Sequence, residues 1–146
     1  MNNKEFSKLV KKSESQTPIF KNCVKAFLTG GTVCIIAELL FDTFISLNIP
    51  EADSRLLSSV SLIFISSLLT GIGVYDKIAK FGRGGALVPI TGFSNAVTSA
   101  AIEAKSEGLI LGTGTKMFNI AGPVIVFGTA SSILYGIIYW IILNFN

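Results

Sequence analysis

Histidine is absent from the 146 residues of this chain. That removes the side chain most often used as a general base and the commonest metal ligand. Charge is scarce as well: Asp, Glu, Lys and Arg make up 14% of the residues, against roughly 25% in a soluble domain. Such a chain is poorly equipped to face water on all sides. The two cysteines, Cys23 and Cys34, fall on one expected helix about 16 Å apart. They cannot bridge each other, and they read as small packing or interfacial residues. No phosphate-binding Gly-x-x-x-x-Gly-Lys-Ser/Thr run occurs, and Gly92-Phe93-Ser94-Asn95-Ala96 is not a nucleophile elbow. These absences argue against an enzyme and give no reason to expect a cofactor or a bound metal.

What remains is apolar. Half of the residues are hydrophobic, and the mean hydropathy is +0.64. A membrane span needs about 20 predominantly apolar residues. Leu56–Tyr75 supplies 20 without a charge, and Met117–Asn146 supplies 30. Met1–Lys25 holds six lysines against Glu5 and Glu14, a net of +4. Nucleic acid is one reading of such an arm, but the excess of positive charge on the cytoplasmic side of membrane proteins accounts for it more simply. The chain therefore divides into a basic cytoplasmic segment, residues 1–20, and a transmembrane domain, residues 21–146. Phe6, Leu9 and Val10 fit a short surface helix within the arm, and a disordered tail fits equally.

The expected fold is an all-α integral membrane protein of about four transmembrane helices. The first runs from about Lys25 to Leu47, and its Gly30 and Gly31 allow close helix approach. The second starts at Leu56 and carries Ser58, Ser59, Ser61, Ser66, Ser67 and Thr70, which can hydrogen-bond to neighbouring helices. Gly84–Ile102 is uncharged for 19 residues but holds Pro89 and several hydroxyls. It reads as a third span, a re-entrant loop or a broken helix. The last span lies within Met117–Asn146, with Tyr135, Tyr139 and Trp140 as an interfacial anchor. Four crossings would give segment charges of +4, −1, +2 and −1, with both termini cytoplasmic.

At membrane depth, irregular backbone survives only where protein or a watery cavity covers it. The central Gly-rich segment is therefore the candidate site. Thr91, Asn95, Ser99 and Glu103 recur every four residues and fan over an arc of about 120° on a helix, widened by Ser94 and Thr98. That face suits either a wet path or packing through small hydroxyl residues. Arg83, Gly84, Gly85 and Pro89 form a turn that can offer backbone amides and one cation to an anion. Glu38 is a candidate cation contact, or simply a charge near the outer interface. Lys77, Lys80 and Arg83 suit docking of a soluble partner.

Several blocks together carry a resemblance. They are Phe27-Leu28-Thr29-Gly30-Gly31-x-x-Cys34, Leu68-Leu69-Thr70-Gly71-x-Gly73-x-Tyr75-Asp76 and Val88-Pro89-Ile90-Thr91-Gly92-Phe93-x-Asn95. Ser99-Ala100-Ala101-x-Glu103-x-Lys105-x-Glu107-Gly108, and Met117-Phe118 with Ala121-Gly122 and Val126-Phe127-Gly128, complete the set. In register from about Lys21 to Gly128, they resemble the SpoVAC/SpoVAEB family of spore membrane proteins. The lysine-rich start and Asn22-Cys23-Val24-Lys25 favour its AC type over the AE-b type.

The resemblance implies a subunit of the spore inner membrane in a complex that moves dipicolinic acid, with calcium, into the forespore and out on germination. It further implies channel formation, with membrane tension as a candidate opening signal. The implied partners are a related small membrane subunit and a soluble subunit. A path for the dipicolinate dianion would draw on Arg83, Thr91, Asn95 and loop amides, with Phe93 as a stacking face. A non-conducting scaffold that anchors a soluble partner is the rival. The chain departs from the family pattern at Arg83, where Phe-Ala-Gly-Ala-Gly would be expected around it, and at Glu38, where glutamine would.

Overall fold

The computed structural model describes residues 18–145. Most of the basic arm, including the expected surface helix at Phe6, Leu9 and Val10, lies outside the described residues. The described chain is helical: α1 (Ile19–Ser46), α2 (Glu51–Gly71), α3 (Tyr75–Gly82), α4 (Gly84–Leu87), α5 (Ile90–Glu103) and α6 (Thr115–Phe145). A 3₁₀ turn (Ala104–Glu107) and a π-helical turn (Leu109–Gly114) join α5 to α6.

The element ends follow from local chemistry. Pro18 and Pro50 stand just before α1 and α2, where a missing N–H costs nothing. Glu51 and Asp53 favour the positive first turn of α2. After α1, Asn48 takes a left-handed conformation (φ 61°), and the Ile49 amide reaches back to the Phe44 carbonyl at 3.3 Å. After α2, Gly73 does the same (φ 74°), with the Val74 amide 2.9 Å from the Leu69 carbonyl. Both are Schellman endings.

Among the described residues, three helical stretches are long and apolar enough to cross a membrane: Ile19–Ser46, Glu51–Gly71 and Leu109–Asn144. The fourth crossing expected from the sequence is corrected here. Between Tyr75 and Glu103 the backbone breaks at Arg83 and again at Pro89, leaving helices of 8, 4 and 14 residues. The longest of these, α5, rises about 21 Å, short of the ~30 Å hydrocarbon core. Three crossings in place of four would leave the two termini on opposite faces.

The packing is inverted relative to a soluble protein. Buried positions are small or hydroxylated (Ser54, Ser58, Ser66, Ala86, Thr91, Ser94, Ala104), and Leu62 and Tyr75 are the larger ones. Leucines, isoleucines and phenylalanines line the outside, including those of α6 from Val124 to Leu143. In lipid, apolar side chains gain little by turning inward, so helices associate through small residues and hydroxyls.

Close approach falls on a different glycine from those the sequence singled out. A Cβ on Gly30 would meet Gly85 at an ordinary 3.5 Å, and one on Gly31 would meet nothing. A Cβ on Gly85, however, would fall on the Ala26 carbonyl oxygen, and one on Gly82 would lie 2.6 Å from the Thr29 side chain. The break is thus pressed against the backbone of α1.

Candidate functional site

Where α5 meets α2, the contact is built of hydroxyls. Ser66 Oγ donates to the Thr91 carbonyl at 2.6 Å, and Ser94 Oγ donates to the Ile63 carbonyl at 2.9 Å. With its proton so committed, Ser94 accepts from Ser67 at 2.9 Å, and Ser67 accepts from Thr98 at 3.0 Å. A hydroxyl has one proton and two lone pairs, so the order Thr98 to Ser67 to Ser94 to Ile63 C=O satisfies every donor. Thr70 Oγ1 shares its proton between the Ser66 carbonyl (2.8 Å) and Asn95 Oδ1 (2.9 Å). Tyr75, 4% exposed, closes the near end. Its hydroxyl donates to the Ala86 carbonyl at 2.7 Å and lies 3.0 Å from Thr91 Oγ1. The α2 partners in this seam all fall between Ile63 and Thr70.

This arrangement sorts the residues singled out from the sequence. Thr91 and Asn95 enter the seam, together with Ser94 and Thr98. Ser99 donates to the Ala96 carbonyl of its own helix and is exposed, and so is Glu103 at the end of α5. Phe93 is 37% exposed. Pro89 stands immediately before α5. Arg83 is exposed between α3 and α4, with φ 50° and ψ −126°, a conformation that disfavours any residue with a Cβ. Gly84 is open, whereas Gly85 presses on α1. Lys77 and Lys80 are exposed on α3, and Lys80 pairs with Asp76 at 2.7 Å. Cys23 and Cys34 are free and exposed on α1.

Sequence reasoning missed Tyr75 as a site residue. The available signal was a phenol directly after a helix break in an otherwise apolar region, where burial obliges the hydroxyl to find a partner.

One cavity borders the seam and a second lies apart from it, between α1 and the start of α2. The larger, about 300 Å³, lies between α1, α2, α3 and the break, and Ser66, Tyr75 and Thr91 form part of its wall. The smaller, about 210 Å³, is lined by Ala37, Glu38, Phe41, Arg55, Ser58 and Ser59. Arg55 pairs with Glu51 at 2.7 Å and stacks on Phe41 at 4.9 Å, so Glu38 shares its cleft with a cation. Ser58 Oγ, at the back, is buried without a partner. Among the described residues, no group of three or more His, Cys, Asp or Glu is placed to hold a metal.

The profile of the SpoVAC/SpoVAEB family of sporulation membrane proteins matches residues 22–138. The chain belongs to that family. As a SpoVAC/SpoVAEB member it is 45% identical over 134 residues to Stage V sporulation protein AC of Bacillus subtilis (strain 168). The aligned part covers 91% of this chain and 89% of that relative. No solved structure matches this member of the family. The matched span takes in most of α1, all of α2 to α5 and most of α6, and so includes the seam and both cavities.

Proposed function

We propose that this chain is a transport subunit of the spore inner membrane, with its amino terminus cytoplasmic, that moves dipicolinic acid, with calcium, into the forespore and out on germination. The observation that carries this reading is the part-buried hydroxyl seam between α2 and α5, at a break in a chain whose described residues form three membrane-length helices. Interhelical hydrogen bonds in membranes contribute about 0.6 kcal/mol each. The five that join α2 to α5 therefore amount to about 3 kcal/mol. That favours the closed seam by roughly two orders of magnitude. Such a barrier seals the path at rest, yet a tension-driven outward movement of α5 can overcome it. Once parted, Ser66, Ser67, Thr70, Thr91, Ser94, Asn95 and Thr98 present donors and acceptors that bind a carboxylate weakly and repeatedly, as passage requires. Arg83 and the amides of Gly84 and Gly85 stand at the approach. Glu38 serves as a cation contact at a separate position.

Liposomes that hold only this protein and dipicolinate test the reading. Release that quickens under osmotic downshift, and falls about tenfold or more with Asn95→Leu, is expected. Silent vesicles holding a folded protein would refute conduction by this subunit alone. They would favour the second reading, a scaffold that docks a soluble partner through Lys77, Lys80 and Arg83, for which the exposure of all three side chains speaks.

A further inference from the structure

The larger cavity has a chemistry of its own. Apolar side chains supply most of its wall, among them Leu28, Val33 and Ile36 of α1, Leu62 and Leu69 of α2 and Phe81 of α3. The hydroxyls on that wall are turned away. Thr29 donates to the Lys25 carbonyl at 2.9 Å, and Thr32 to the Leu28 carbonyl at 2.8 Å. Ser66 donates to the Thr91 carbonyl and Tyr75 to the Ala86 carbonyl, while Thr91 Oγ1 faces the Tyr75 hydroxyl. The wall therefore offers aliphatic and aromatic surface and no free donor. A dicarboxylate would lose its hydration there and gain nothing, so the cavity is not part of a dipicolinate path.

From Leu28 to Ile36 the α1 wall rises about 12 Å, close to the ~15 Å of hydrocarbon in one leaflet. At its lower end stands a cation. Lys25 Nζ lies 5.0 Å over the ring of Phe81, which itself forms part of the wall. Lys21, Lys25, Leu28, Thr32 and Ile36 follow one another at three- and four-residue steps and so share a stripe of α1. This stripe is basic at the amino-terminal end and apolar above it.

We infer that the cavity holds one acyl chain of a bilayer phospholipid with an anionic headgroup, whose phosphate is bound by Lys25 and Lys21. The match is twofold. The apolar wall has the length of a leaflet's hydrocarbon, and the lysines lie where the headgroup of the same molecule would sit. A lysine near an anionic membrane surface contributes about 1 kcal/mol, so each should favour an anionic over a zwitterionic lipid about fivefold. The inference stands on the cavity and Lys25, whether or not the seam conducts.

The test uses the purified full chain in nanodiscs with phosphatidylglycerol carrying a photoreactive diazirine in mid-chain. Cross-links should concentrate on Leu28–Ile36 and Leu62–Leu69, above the level on the lipid-facing Val124–Leu143 surface. Val33→Trp, which fills the cavity, should abolish the excess while leaving labelling of α6 intact. Lys25→Gln should cut the preference for phosphatidylglycerol over phosphatidylcholine about fivefold, with Lys25→Arg restoring it. Competition between the two lipids on the unmodified protein provides a readout that needs no folded variant. Uniform labelling of all lipid-facing helices, or equal retention of the two lipids, would each overturn the inference.

Discussion

Gly85→Ala is the substitution that most directly probes how the broken segment is held. A Cβ there would lie 1.9 Å from the Ala26 carbonyl oxygen and 2.7 Å from Ala26 Cα. Ordinary contact begins at 3.4 Å, so the shortfall is about 1.5 Å. The obstacle is helical backbone in the first third of α1, which cannot swing aside as a side chain would, so α4 must retreat. Overpacking of this kind costs about 1–3 kcal/mol. Gly84→Ala is the matched control, because its Cβ would meet nothing. Both variants gain the same helical preference of alanine over glycine, about 1 kcal/mol. Their difference therefore isolates the clash at about 1–3 kcal/mol, or roughly 2–12 °C in thermal midpoint. Heating the two proteins in nanodiscs and following the soluble monodisperse fraction measures that gap. Hydrogen exchange should show the Gly82–Leu87 amides losing protection in Gly85→Ala alone. Equal midpoints for the two variants would mean that α4 does not rest on α1, and the account of the break would fail.

Two further substitutions separate a paired hydroxyl from an orphaned one. Ser66→Ala removes the 2.6 Å bond to the Thr91 carbonyl and should destabilise by about 0.6–1.7 kcal/mol. Ser58→Ala removes a buried hydroxyl that has no partner and should stabilise by about 1 kcal/mol or more. Thermal midpoints that move in the same direction would contradict the assignment. Arg83→Gly should also raise stability, by about 1–3 kcal/mol, because it relieves a left-handed residue with a Cβ. If dipicolinate flux falls as stability rises, the guanidinium serves the approach to the path; unchanged flux would remove Arg83 from it.

How much was legible in the sequence depended on which physical signal carried each feature. The long helices announced themselves through uncharged runs such as Leu56–Tyr75, because burial in lipid selects composition directly. The break was legible only as one of three alternatives, since Pro89 and the glycines around Arg83 suit a broken or re-entrant segment, yet α6 continues through Gly122 and Pro123. The consequence of the break was not legible. The uncharged length of Gly84–Ile102 matches a crossing, whereas backbone conformation at Arg83 cuts it short, and hydropathy is blind to dihedral angles.

The hydroxyls of α2 were legible as candidates for interhelical bonds, but not which partner each would find. Periodicity placed Thr91, Asn95, Ser99 and Glu103 on one broad face. The crossing with α2 uses only the half of that face between Thr91 and Thr98, because the partners on α2 end at Thr70. Gly30 and Gly31 showed the usual small-residue signal, while the real close approach required knowing that Gly85 would face Ala26. That contact spans 59 positions in the chain and leaves no trace in local pattern.

The seam and the larger cavity are two faces of one wall. Ser66, Tyr75 and Thr91 belong to both. Their hydroxyls are spent inward on carbonyls and on one another, which is why their remaining surface can border an apolar space at no cost in unpaired donors. The same fact couples the two compartments. If α5 draws away from α2 as proposed, the Ser66 and Thr91 groups are freed and face the cavity as well as the proposed path, so the cavity stays apolar only while the seam stays shut. An apolar occupant is therefore favoured by the closed arrangement and disfavoured by the open one. By linkage, such an occupant must stabilise closure to the extent that it prefers the closed wall. On the proposed reading, the closed arrangement is set jointly by the five hydrogen bonds that join α2 to α5 and by hydrocarbon on the cavity side of Ser66, Tyr75 and Thr91.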